Sequence, residues 1–95
     1  METGKTQKVS RKDILERLGA MLGPWVSQPE AIDGLTEQTN LISDLGLDSI
    51  GILQVVLGAE KQFGISIDER ELDAETFSRM GNLVNIIEKK IYEAD

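Results

Sequence analysis

The chain contains no cysteine and no histidine among its 95 residues. Without cysteine there are no disulfides, no thiol nucleophile and no cysteine-built zinc site. Without histidine the commonest general base and metal ligand is missing too, so most catalytic templates and a resident metal are not expected. Aromatic residues make up 4% of the sequence, and the hydrophobic fraction of 40% is therefore aliphatic: any core is built from Ile, Leu, Val, Ala and Met. No continuous apolar run approaches the roughly 18 residues of a membrane span. The opening segment METGKTQKVSRK has charges with no apolar stretch behind them. It reads as neither secretory signal nor anchor, and a cytoplasmic protein without stable membrane insertion is expected.

What is present is acid. Seventeen Asp and Glu against ten Lys and Arg leave a formal charge of −7. A nucleic-acid partner is not expected, because phosphates need Lys and Arg to neutralise them, and basic partners are favoured. Residues 1–12 carry a net +3 through Lys5, Lys8, Arg11 and Lys12, so the acidity belongs to the remainder. Residues 1–9 read as a disordered polar leader, with its basic charges solubilising. Residues 10–95 read as one domain, and a chain of this size leaves little room for a substrate cleft.

Helical periodicity dominates the domain. Ser10 and Asp13 form an S-x-x-D start, after which Ile14, Leu18, Met21 and Leu22 recur on one face, predicting a helix over 10–22. Gly23-Pro24 stops it. A connection over 23–47 follows, with a short helical turn around 30–34; Trp25 is expected as a core plug, and Val26, Ile32, Leu35, Leu41, Ile42, Leu45 and Leu47 are expected to pin the loop down. The run Asp48–Phe63 predicts a second helix, stopped by Gly64, with Ile50, Leu53, Val56, Leu57 and Phe63 turned inward. Asp68 and Glu71 predict a short third helix over 69–72. Met80, Leu83, Val84, Ile87 and Ile91 predict a fourth over 79–92, capped by Thr76 or Ser78. The expected fold is all-α: a small four-helix bundle with three longer helices, one short helix and a long loop between helices one and two.

Where that loop meets helix two stands Asp44-Leu45-Gly46-Leu47-Asp48-Ser49-Ile50. A hydroxyl at a helix start is a place where a group can be attached. The unpartnered N–H groups and the positive end of the helix dipole there would stabilise an anionic group by about 0.3 to 1 kcal/mol. Gly46 permits a tight approach of loop to helix, Leu45 and Leu47 can bury beneath it, and Asp48 can cap the helix or face a metal or basic group of a modifying enzyme. A D-S-hydrophobic triplet on its own is only a helix start.

In this motif, in Phe63-Gly64-Ile65-Ser66-Ile67 and in Phe77-x-x-Met80-Gly81-Asn82-Leu83-Val84, the chain resembles the acyl carrier protein family over roughly residues 10–92. The resemblance implies that Ser49 receives 4′-phosphopantetheine from coenzyme A through a phosphopantetheinyl transferase, with Asp48 and Ile50 flanking it. It further implies a monomer without catalysis of its own, holding acyl groups as thioesters. These would be delivered to acyl-transferring, condensing and modifying enzymes of fatty acid, lipid or polyketide type biosynthesis. The motif is silent on cargo, so an amino-acyl or peptidyl carrier, or an unmodified helical adaptor of the same fold, stands beside that reading. Asp44, Leu47, Ile52, Val55 and Glu60 are the expected partner-docking residues. Leu53, Val56, Leu57, Ile67, Leu83 and Ile87 are the expected walls of an acyl-chain cleft. The chain departs from the family in the sparse acidity of helix two, where Glu60 is the only carboxylate between Ser49 and Gly64. A specialised carrier whose docking leans on apolar contact is expected.

Overall fold

The computed structural model describes residues 9–26 and 29–93. It contains four α-helices, α1 (Arg11–Leu22), α2 (Ser49–Phe63), α3 (Ala74–Ser78) and α4 (Met80–Glu93), with single 3₁₀ turns at Gly23–Trp25, Pro29–Ile32 and Glu69–Glu71. No strand occurs among the described residues, and the all-α bundle with its long first connection is as the periodicity predicts. No described helix is long and apolar enough to cross a membrane. The leader assigned to residues 1–9 lies outside the described residues except for Val9, which packs against the core, and the Tyr92 hydroxyl donates to its carbonyl at 3.3 Å.

The start of α1 and the end of α2 have local causes. At α1, the Asp13 N–H donates to Ser10 Oγ at 3.1 Å while the Ser10 N–H donates to Asp13 Oδ2 at 3.4 Å, the reciprocal box that satisfies two orphan donors. At the far end of α2, Gly64 adopts φ 64°, and the N–H groups of Gly64 and Ile65 both return to the Glu60 carbonyl. A side chain would strain that left-handed residue, which is why the helix stops at a glycine. Ile14, Leu18 and Leu22 of α1 meet Val55, Val56 and Ala59 of α2 and Met80, Leu83, Val84 and Ile87 of α4 in one buried aliphatic cluster.

The short helices differ from the expected pattern. Asp68 and Glu71 do form a reciprocal box, but it opens only the 3₁₀ turn Glu69–Glu71. The short α-helix lies further on, at Ala74–Ser78, capped by Asp73, which accepts from the Thr76 N–H at 3.0 Å. Thr76 and Ser78 therefore sit inside α3 rather than capping α4. The first N–H groups of α4 go instead to the long loop: Met80 N–H to the Thr39 carbonyl and Gly81 N–H to the Glu37 carbonyl, each at 2.8 Å. Leu41 N–H donates to the Phe77 carbonyl at 3.1 Å. These three bonds, with buried Val26, Leu41, Leu45 and Leu47, tie down the connection. Trp25 and Ile42 do not help, since both are roughly half-exposed. At the same junction the Arg11 guanidinium reaches Glu37 of the loop and both Asn85 and Glu88 of α4, so it is a bracket rather than solubilising charge.

Candidate functional site

The loop end that presents Ser49 is built from two polar side chains, Asn40 and Asp44, that accept from backbone N–H groups of the same turn. Asn40 Oδ1 accepts from the N–H groups of Ile42 and Ser43, both at 2.8 Å, and Asp44 Oδ2 accepts from the Asn40 N–H at 2.8 Å. The Asp44 N–H returns to the Asn40 carbonyl at 2.9 Å, which closes one turn. Gly46 then takes φ 69°, a left-handed conformation in which any Cβ would be strained, and reverses the chain toward α2. Leu45 and Leu47 on either side are buried and anchor the turn. Asn40 carries this geometry and has no periodic signal. Its residue type, a turn former, marks only a break in regular structure.

Asp48 resolves as the α2 cap: its Oδ1 accepts from the Gly51 N–H at 2.9 Å. Gly51 is itself buried, and a Cβ there would come within 3.1 Å of Leu47 Cδ2, so the glycine lets Leu47 tuck under the first turn of the helix. Ser49 is the first residue of α2 and is exposed, as are Asp48 and Ile50. None of the hydrogen bonds among the described residues engages its hydroxyl. The first turn of α2 holds no acidic residue, so nothing offsets the positive helix end except the capping Asp48. The site thus offers an unengaged hydroxyl beside a positive field, and that combination fits an anionic phosphodiester.

Burial sorts the other expected residues differently from the sequence reading. Leu47 and Val55 are 4% and 1% exposed, so these two expected docking residues belong to the core, and half-buried Ile52 packs against it. Asp44 is exposed but serves its own turn, and half-buried Glu60 accepts the Ile67 N–H at 2.8 Å. Of the six residues expected to wall a cleft, Val56, Ile67, Leu83 and Ile87 are buried together, whereas Leu53 and Leu57 face solvent. The physical reason is close helix packing. The inner face of α2 is Gly51, Val55, Val56 and Ala59, small residues that let α1 and α4 approach, which turns the larger Ile50, Leu53 and Leu57 outward.

An exposed hydroxyl on a capped helix is open to covalent attachment of a group, but the geometry alone does not define a class of protein. The family described as phosphopantetheine attachment site matches residues 26–84, a span that includes the whole Asn40–Ser49 assembly. An acyl carrier protein of Thermotoga maritima is 33% identical over 82 residues, covering 86% of this chain and 96% of that one. An acyl carrier protein of an Exiguobacterium species is 32% identical over 79 residues, covering 83% and 90%. The chain belongs to the acyl carrier protein family, whose prosthetic group is 4′-phosphopantetheine.

Proposed function

We propose that Ser49 is the attachment point of the phosphopantetheine arm and that Asp48 and Ile50 frame it. The observation that carries this reading is the unengaged hydroxyl at the open, positively polarised start of α2. When bound, the arm supplies the thiol that the polypeptide lacks, and acyl groups ride on it as thioesters. The chain's own residues hold Ser49 in place: Asn40 and Asp44 fix the loop, Gly46 reverses it, Leu45 and Leu47 anchor it, and Asp48 keeps the first turn of α2 closed. The first N–H groups of α2 would hold the phosphate, with an expected gain of about 0.3 to 1 kcal/mol.

The chain is a tether rather than a catalyst in this reading. A phosphopantetheinyl transferase modifies it, and separate acyl-transferring, condensing and modifying enzymes exchange cargo with it in the cytoplasm. Val56, Ile67, Leu83 and Ile87 are the side chains that an acyl tail would part if it entered the bundle, at about 0.8 kcal/mol gained per buried methylene. Intact mass after incubation with coenzyme A and a phosphopantetheinyl transferase tests the assignment. The wild type gains one arm and Ser49→Ala gains none. An unmodified wild type, or a modified Ser49→Ala, refutes it.

A further inference from the structure

Asp33 is followed by glycine, and no other Asp or Asn of the sequence is; Asn40, Asn82 and Asn85 precede Leu41, Leu83 and Ile86. Asp33 and Gly34 are the exposed centre of a turn that the Leu35 N–H closes on the Ile32 carbonyl at 3.2 Å. None of the hydrogen bonds among the described residues engages the Asp33 carboxylate. Gly34 is not left-handed, and open space surrounds the position that a Cβ would take. Asp33 also borders a hollow of about 350 Å³ against α1, lined by Leu15 and Gly19 on the helix and by Ile32 and Leu35 on the turn.

Asp48-Ser49 is the contrasting case. The Asp48 carboxylate is held by the Gly51 N–H at 2.9 Å, Ser49 carries a side chain, and the peptide between them opens α2. At Asp33 these restraints are missing. Its Cγ is free to swing toward the amide nitrogen of Gly34, and no Cβ on Gly34 stands in the way.

We propose that Asp33-Gly34 is a site of spontaneous isomerisation to isoaspartate. The Gly34 nitrogen bonds to Asp33 Cγ, whose hydroxyl leaves with the amide proton as water, closing a succinimide ring. Water then opens the ring. Attack at Cγ restores aspartate, whereas attack at the main-chain carbonyl carbon leaves the chain running through Cγ, with the α-carboxylate as the new side group. The water lost is regained, and no oxidant or cofactor takes part. The isomer lengthens the backbone between Ile32 and Leu35 by one methylene carbon. Those two side chains flank Gly19 of α1, with Leu35 Cδ2 at 3.2 Å and Ile32 Cγ2 at 3.5 Å from where its Cβ would lie. The lengthened turn therefore loses its closing hydrogen bond and its fit against α1.

The test ages the intact chain in mildly acidic buffer, where more of the carboxyl is in its neutral, electrophilic form. Isoaspartate is scored by methyl transfer from S-adenosylmethionine with an isoaspartyl methyltransferase, and located by peptide mapping. Folded wild type should accumulate it at residue 33 with no net change in intact mass. Gly34→Ala, whose Cβ meets nothing within 4 Å, should keep the fold and reduce the signal to a small fraction of wild type. Asp33→Glu, which would need a larger ring, should reduce it to background. The separated isomer should melt about 4 to 8 °C below the unmodified chain, as for one lost hydrogen bond. Accumulation only when the chain is unfolded in urea, or equal accumulation in Gly34→Ala, overturns the proposal. An isomer that melts with its parent overturns the loosening of the turn from α1.

Discussion

The Arg11 guanidinium and the Glu37 carboxylate meet side by side, Nη2 to Oε1 at 2.6 Å and Nε to Oε2 at 3.0 Å, joining the start of α1 to the middle of the long loop. The same guanidinium donates to Asn85 Oδ1 at 2.6 Å and Glu88 Oε1 at 2.9 Å on α4. One side chain therefore brackets three segments that have no hydrophobic pattern in common. Both partners are about one-third exposed, so solvent screening reduces the pair's worth.

Arg11→Met should cost about 1 kcal/mol of stability, a fall in melting temperature of about 4 to 8 °C for a domain of this size. A double-mutant cycle with Glu37→Gln, read by thermal or urea unfolding, should show coupling between the two. Additive losses would mean that the bracket contributes nothing as a pair.

Acid should weaken the fold by a definite route. The Arg11 hydrogen bond holds the Glu37 carboxyl below the usual carboxylate range, and Arg70 does the same for Asp68. Glu71 is lowered first by the Asp68 N–H and then by Lys90, and Asp73 by the Thr76 N–H and hydroxyl. Each group has a lower folded than unfolded pKa, so the unfolded chain binds more protons in acid. Their contribution is complete above the ordinary carboxylate range, about pH 4 to 4.5, and is lost as pH falls through the folded values. Melting temperature should be level from pH 8 to 6 and fall below about pH 4.5. In Glu37→Gln the acid slope should be shallower.

Asp48 caps α2, and a pair of substitutions tests whether its carboxylate is also read by a modifying enzyme. Asp48→Ala removes the cap at Gly51 and should cost about 1 kcal/mol, while Asp48→Asn keeps an acceptor and should cost a few tenths at most. If Asp48→Asn retains stability but slows arm attachment, the modifying enzyme reads the carboxylate itself. Equal attachment rates for Asp48→Asn and wild type would assign Asp48 to capping alone.

Two glycines in helices should respond in opposite ways to alanine. A Cβ on Gly81 would meet the Glu37 carbonyl at 3.1 Å, the backbone acceptor that receives the Gly81 N–H, so Gly81→Ala should destabilise by about 1 to 3 kcal/mol. A Cβ on Gly58 would come within 2.9 Å of Met21 Sδ, the mobile part of a flexible side chain. Gly58→Ala should be neutral or slightly stabilising, because the helix propensity gained, up to about 1 kcal/mol, offsets the shift of Met21. Urea unfolding of the two variants distinguishes the cases.

The parts legible in the sequence were those with local causes. The Ser10–Asp13 box, the Asp48 cap, the Gly64 stop and the aliphatic repeat of α4 depend on neighbours a few residues away. The site motif was legible for the same reason, since Asp44 to Ile50 form one continuous turn and helix start. Positions fixed from afar were not. The loop's course follows from bonds of Glu37, Thr39 and Leu41 to the α3–α4 junction, and backbone pairings leave no mark in side-chain spacing. Side-chain size is a poor guide to the facing of α2. Gly51 and Ala59 point inward since neighbouring helices come close there, and the bulky Leu53 and Leu57 are left outside. Helix α3, five residues long, is too short to show a period, and its Asp73 cap was masked by the stronger Asp68–Glu71 signal just before it.

The carbonyls of Glu37 and Thr39 that receive the N–H groups of α4 give the chain a dependence running backwards along its length. The segment leading to Ser49 takes its final shape only against the last helix, which a ribosome makes after it. A chain cut before Met80 would retain every residue of the attachment motif and still lack the support that holds it up. The turn that presents Ser49 is therefore fully supported only once α4 has been made.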